Sequence, residues 1–325
     1  MVGGVLLAAA LCGPFPLLFT PYTEKGDVDY ATLAKEAVFV ADCGVNGIIW
    51  PPADDSLRLL SAEEERRGLE AIAVALDGRD VWFCPCCPGT NTADAVRRVK
   101  TAERVSAAHP LLPATMLVRM ADDAKDDDGY RRHYEAVAEA AKHPVIIQTY
   151  NGASKPPSVK LMVELSKRHP LTYGWFKVEG SGLEISDMMA GLIAAKPAVK
   201  TVFTGWGGRD FLYQYRIIGS RGVITQRPMF ADIVVSLWKA LESGSPAADD
   251  VFAKFMYLAN LDNVMPSSRM RGWNLYVMKR RGVFPNTLSR IPQKGGGWKV
   301  EDVTLTPRQI AEIEARLGFA GVRLP

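Results

Sequence analysis

One lysine carries the strongest chemical signal in this chain. Lys177 stands in Leu171-Thr-Tyr-Gly-Trp-Phe-Lys-Val-Glu-Gly180, surrounded by aromatic and β-branched residues and bracketed by glycines. That composition reads as a buried strand with a cation at its end. Burial disfavours an ammonium, so a lysine enclosed by apolar residues offers a neutral amine, the usual route to a Schiff base with a ketone. The plain structural reading is a strand-end lysine whose stem is covered and whose head reaches solvent. Other strand ends supply Thr20, the run Pro51 to Asp55 (with Pro52, Ala53 and Asp54), Cys84 to Cys87, and Arg119. They also supply Gln148 to Asn151 (with Tyr150), Gly205 to Gly208 (with Trp206), and Thr225. Each alone is also an ordinary loop residue. Together with the lysine they suit a Schiff-base site, and Gly205, Gly207 and Gly208 let backbone approach a ligand closely.

These residues gather only if the elements between them do. Strand-like and helix-like stretches alternate: strands at 15–20, 47–50, 81–84, 113–118, 145–148, one carrying Lys177, 201–204 and 222–225. Helices at 27–42, 61–76, 92–107, 130–142, 158–168, 184–195, 210–218 and 230–241 follow them in turn. Ser61-Ala-Glu-Glu64 is a capping box, and Thr92 is read as a cap. Eight strand–helix units in about 240 residues is the arithmetic of a (β/α)8 barrel, whose active site lies at the C-terminal ends of its strands. A doubly wound open sheet would want a Gly-rich phosphate loop after its first strand, and Phe19-Thr-Pro-Tyr-Thr23 is none. Helical segments are expected near 251–264, 268–281 and 307–317, with Gly295-Gly-Gly297 as a loop between them. The division is therefore a barrel over 13–245 and a small helical extension over 246–325.

The chain has 325 residues, 48% hydrophobic and 23% charged, with a net charge of +3. This suits an enzyme-like globular chain and does not suggest nucleic acid or an acidic membrane as a partner. The apolar N-terminus has no positive residue before its apolar run, so it reads as a leader into the first strand, with a cleaved signal as the alternative. No run reaches the length of a membrane span. Five cysteines, an odd number, argue for a reducing compartment, here the cytoplasm. Cys84-Pro-Cys-Cys-Pro88 has no second Cys or His pair at zinc spacing, and His109, His133, His143 and His169 are scattered. No metal or cofactor is expected, and the cysteines read as a buried strand end.

The motifs Phe15-Pro, Thr20-Pro21, Asp27-Val-Asp29, Gly44-Val-Asn-Gly47, Ser61-Ala-Glu-Glu64, Asn91-Thr-Ala93 and Pro144-Val-Ile-Ile147 fall in a distinctive order. Gly174-Trp-Phe-Lys177, Gly205 and Gly219-Ser-Arg-Gly222-Val-Ile224 continue it. In this order, from about Gly13 to Leu317, the chain resembles the dihydrodipicolinate synthase / N-acetylneuraminate lyase family. The resemblance implies a Schiff-base mechanism on a 2-oxo acid through Lys177, no metal, and a homotetramer or homodimer. It departs from the family where a Gly-Thr-Thr-Gly-Glu-type loop would hold the substrate carboxylate, since the hydroxyl pair falls on Ala53 and Asp54. The family's tyrosine after the fifth strand aligns with Gln148-Thr149, and Tyr150-Asn151 follows two residues later. The arginine of the synthases falls near Ala153, and the tyrosine given across a dimer near Asp122. Gln after the fifth strand and Phe-Lys-Val-Glu at the lysine resemble the branch of 2-keto-3-deoxy sugar-acid dehydratases better.

The expected function is an imine-forming lyase that dehydrates a 2-keto-3-deoxy sugar acid. Lys177, Gln148 and Tyr150 are its catalytic candidates; Pro52, Ala53, Asp54, Gly205, Trp206 and Thr225 are its substrate-binding candidates. Two alternatives stand beside it: a retro-aldolase using Tyr150, and a barrel that binds a ligand without catalysis. Dihydrodipicolinate synthase activity is not expected.

Overall fold

A computed structural model describes residues 10–53, 56–150, 155–265, 271–302 and 304–325. Eight short parallel strands appear in the expected order: β1 (Gly13–Pro16), β2 (Gly47–Trp50), β3 (Trp82–Pro85), β4 (Met116–Arg119), β5 (Val145–Gln148), β6 (Trp175–Val178), β7 (Thr201–Thr204) and β8 (Gly222–Thr225). They do not form one continuous eight-stranded ladder. Six run β1-β8-β7-β6-β5-β4, and β2 pairs only with β3. Isolated parallel bridges join the two sets, Leu17 to Ile49 on one side and Phe83 to Ala114 and Cys86 to Leu117 on the other. The strands are nearly all buried along their length, which is why they read as apolar runs and not as alternating ones.

Alternation inside each strand still sorts the side chains. Phe15, Ile49, Cys84, Leu117, Ile146, Phe203 and Ile224 share one cluster, while Met116, Val118, Ile147, Phe176, Val178 and Val202 pack in another with helical residues. The helices are α1 (Tyr30–Asp42), α2 (Ala62–Leu76), α3 (Thr92–Ala108), α4 (Asp127–Ala140), α5 (Val159–Arg168), α6 (Leu183–Ile193), α7 (Phe211–Tyr213, prolonged by a π turn over Gln214–Ile218) and α8 (Ala231–Glu242). Their starts are chemically marked. Asp29 caps α1, and Ser61 and Glu64 close the expected capping box of α2. Such a cap is worth about 1 kcal/mol. Asn91, not Thr92, caps α3, its side chain accepting from Asp94 N at 2.9 Å. Strand β4 begins at Met116 and not at 113, and α4 begins three residues earlier than its periodicity suggests because Asp126 caps it.

Beyond α8 lie α9 (Ala247–Ala259), α10 (Leu261–Val264), α11 (Trp273–Arg280) and α12 (Pro307–Ala320). The extension is not wholly helical. An antiparallel hairpin, β9 (Leu288–Pro292) and β10 (Trp298–Asp302), stands where a loop was expected, and Gly295 to Gly297 form its turn. The strands are short and mostly exposed on one side, so their pattern was too weak to read. Among the described residues no helix is long and apolar enough to cross a membrane. The N-terminal residues 1–9 lie outside those described.

Candidate active site

The C-terminal ends of β5, β6, β7 and β8 converge. Lys177 is 3% exposed and pairs in register with Gln148 on one side and Phe203 on the other. Residues two apart on a strand share a face, so Glu179 follows Lys177 to the same side. The Lys177 Nζ and Glu179 Oε1 form a buried ion pair, and Gln148 Nε2 donates to the same oxygen at 3.4 Å. The other carboxylate oxygen, Glu179 Oε2, accepts from the backbone N of Trp206 at 2.6 Å. The lysine therefore does not sit in purely apolar surroundings, as its neighbours in sequence suggested. It faces a carboxylate that alternation brings to it.

Backbone holds this arrangement in place. Thr149 N donates to Lys177 O at 3.0 Å, Glu179 N to Thr149 Oγ1 at 3.3 Å, and Gly205 N to Val178 O at 2.8 Å. Gly205 has no room for a side chain: a Cβ there would lie 2.6 Å from Val178 O and 2.7 Å from Glu179 Oε2. The next residue, Trp206, has φ of +49°, a conformation that costs a non-glycine residue about 1–3 kcal/mol and persists only when its surroundings fix it. Two buried groups do so by binding Gly207 O: Thr225 Oγ1 at 3.2 Å and Arg227 Nη1 at 2.8 Å. Arg227 is 3% exposed and also pairs with Asp262 of α10. Burial pushes its guanidinium below the usual range, and Asp262 opposes that.

Tyr150 lies two residues past the end of β5, with its ring edge-on to Trp206 at 6.2 Å between centroids. Gln148 touches the Lys177–Glu179 pair, and Tyr150 stands beside it at the aromatic rim. Pro52 and Ala53 are buried after β2, and Pro52 O accepts from Leu57 N at 3.3 Å. Ala53 lines a cleft with Gly89, Thr90, Arg119 and Asp122, and Arg119 and Asp122 form an ion pair there at 3.3 Å. Thr20 accepts from Trp50 Nε1 at 3.1 Å. Asp54, Asn151 and Ala153 lie outside the described residues.

Cys84, Cys86 and Cys87 are buried. Burial, then Cys86, pushes the Cys84 thiol well above its usual value, while the charge of Lys177 pulls the other way, so the thiol lies within reach of the amine's field. No cluster of three or more side chains placed to hold a metal occurs among the described residues. Two participants escaped the sequence reading in whole or part. Glu179 was visible only as a carboxyl near the lysine, although its i+2 spacing is the available signal. Arg227 has no local signal, because its partners Gly207 and Asp262 are remote in sequence.

No family model matches the chain. It is 26% identical over 231 residues to a 4-hydroxy-tetrahydrodipicolinate synthase of Enterococcus faecalis, covering 70% of this chain and 75% of that one. It is 29% identical over 209 residues to a probable mitochondrial 4-hydroxy-2-oxoglutarate aldolase of Emericella nidulans, covering 62% of this chain and 64% of the relative. Among solved structures, a monomeric dihydrodipicolinate synthase variant superposes with a TM-score of 0.81 at 15% identity, over 98% of this chain and all of its own. A prophage protein of the dihydrodipicolinic acid synthase family from E. coli K12, in complex with pyruvate, gives 0.76 at 18% identity, over 97% of this chain and 100% of its own. At these identities the structural likeness shows the fold, and the two sequence relatives are by name a synthase and a probable aldolase.

Proposed function

We propose that this chain is a lyase of the dihydrodipicolinate synthase family that joins Lys177 to a 2-oxo acid as an imine and dehydrates a sugar-derived 2-keto-3-deoxy acid. The observation that carries this reading is the buried Lys177–Glu179 pair with Gln148 on the same carboxylate oxygen. Glu179 takes the proton from the Lys177 ammonium, and the freed amine attacks the ketone carbon and expels water to give an iminium. The iminium acidifies carbon 3. Glu179 gives the proton it took to the water that is expelled, and as a carboxylate again it removes the carbon 3 proton, so the electron pair forms an enamine. The enamine then pushes out the hydroxyl on carbon 4, which leaves as water with a proton returned by the same carboxyl. Gln148 only donates and accepts hydrogen bonds, so it orients and does not transfer the proton. The segment at Pro52 and Ala53 receives the substrate carboxylate through the Ala53 backbone N–H, since Pro52 has none. The iminium is the electron sink, so activity should survive a chelator.

The finer architecture belongs to the same proposal: a closed (β/α)8 barrel over 13–245, supported by the bridges on both sides of the β2–β3 pair, with 246–325 as an extension. Assembly as a homotetramer or homodimer in the cytoplasm is proposed with it, and light scattering tests the assembly. Retro-aldol cleavage is the second reading. It is favoured by the aldolase among the relatives and by the Tyr150 ring beside Trp206, from which a phenolate would take the carbon 4 hydroxyl proton as the bond between carbons 3 and 4 breaks. Borohydride reduction with pyruvate is expected to add one fixed mass to the wild type and none to Lys177→Ala. Equal labelling of both proteins would remove Lys177 as the nucleophile, and labelling of neither across a panel of 2-oxo acids would leave the ligand-binding reading standing. Product analysis separates loss of water from release of an aldehyde.

A further inference from the structure

The segment after β2 is held from outside the barrel. Arg290 belongs to the C-terminal hairpin, yet it is 2% exposed. Its Nε donates to Gly26 O at 2.8 Å, its Nη1 to Leu59 O at 2.7 Å and to Glu64 Oε2 at 3.2 Å, and its Nη2 pairs with Glu64 Oε1. The guanidinium also packs against the rings of Tyr22, at 4.9 Å, and Trp298, at 4.0 Å. These acceptors come from three separate pieces of chain: the turn between β1 and α1, the 3-10 turn Ser56–Leu59, and the first turn of α2. Hydrogen bonds continue inward from there. Leu60 N donates to Leu57 O at 3.4 Å, and Leu57 N to Pro52 O at 3.3 Å, next to Ala53. The hairpin leaves no slack at the other end either, since a Cβ on Gly26, whose φ is +83°, would lie 2.4 Å from the Trp298 ring.

A buried guanidinium costs several kcal/mol unless its donors are met, and here a planar fork meets backbone and carboxylate acceptors that no lysine could bridge together. We propose that Arg290 is a positioning residue for the reaction. Through Leu59 and Leu57 it fixes the Pro52–Ala53 backbone that receives the substrate carboxylate, so the β9–β10 hairpin sets affinity for the 2-oxo acid and not the rate of bond breaking. This rests on the reading of that segment as the carboxylate cradle.

Arg290→Lys keeps the charge and loses the fork. It is expected to raise KM, and the pyruvate concentration for half-maximal borohydride trapping on Lys177, by about ten- to a hundred-fold, with kcat within about two-fold. Hydrogen exchange should quicken at the amides of 57–60 and 26–29 and stay unchanged in β5 to β7. Glu64→Gln keeps the helix cap and is expected to move KM the same way, which covers the case in which Arg290→Lys does not fold. Unchanged half-saturation in a folded variant, a fall in kcat at constant KM, or exchange quickening evenly across the barrel would each overturn the proposal. Wild type that traps no 2-oxo acid would instead overturn the imine reading, and the clamp with it.

Discussion

At the scale of single residues, the chemistry turns on which group beside Lys177 moves protons. Glu179 touches the amine, Gln148 hydrogen-bonds the same oxygen, and Tyr150 stands at the rim against Trp206. On the dehydratase reading, Glu179→Gln should lower kcat by about 10²–10⁴-fold, the usual worth of a general acid–base. Tyr150→Phe should stay within about ten-fold on the same scale. Steady-state rates on the true substrate check this, with Gln148→Ala measured alongside. A tyrosine change that removes several orders of magnitude while the glutamine change does nothing would point to aldol cleavage. Pyruvate with aspartate semialdehyde is expected to turn over poorly, and robust turnover would contradict the assignment to the sugar-acid branch. Gly205 gives a separate handle. A methyl there would push against Val178 O and Glu179 Oε2, so Gly205→Ala should depress activity far more than stability. Parallel measurement of kcat/KM and of the unfolding midpoint decides it.

At the scale of elements, α1 carries a group that the site does not use. Glu36 is fully buried, its Oε1 accepts from Phe19 N at 3.0 Å, and its Oε2 has no hydrogen-bond partner among the described residues. Burial pushes its carboxyl well above 4.5, and the Phe19 bond opposes this. The folded chain thus holds a proton that the unfolded chain releases. Stability that is present below pH 4.5 is lost as pH rises toward the folded value, at up to about 1.4 kcal/mol per pH unit. Glu36→Gln keeps an acceptor for Phe19 N and removes the charge, so it should flatten this slope and leave the protein more stable than wild type at pH 8. Urea denaturation at pH 5 and pH 8 tests it, and an undiminished slope in the variant would refute it.

At the scale of the molecule, the barrel interior and the extension are one core. Phe15, Phe203 and Ile224 share their cluster with Trp273, Ile313 and Leu317. Each such side chain contributes about 1.5–3 kcal/mol on burial, and net stability of a whole domain is only about 5–15 kcal/mol. A chain ended at residue 245 should therefore fail to fold cooperatively, as circular dichroism and thermal unfolding would report. A 1–245 fragment melting near the full-length temperature would show that the extension is dispensable packing.

The sequence by itself determined the eight short strands, the helices between them and the placing of Lys177 on β6, because apolar runs, capping residues and glycine are local signals. It set β2, β5, β7 and β8 to the residue. Only the tertiary structure decided what faces the lysine. The Glu179 carboxylate is aimed by Trp206 N, and the Trp206 turn is held by Thr225 and by Arg227, whose own partner is Asp262. Those contacts span tens of residues, and no local pattern encodes them. The same reason hid the hairpin: its value lies in Arg290 reaching Gly26, Leu59 and Glu64, more than two hundred residues away.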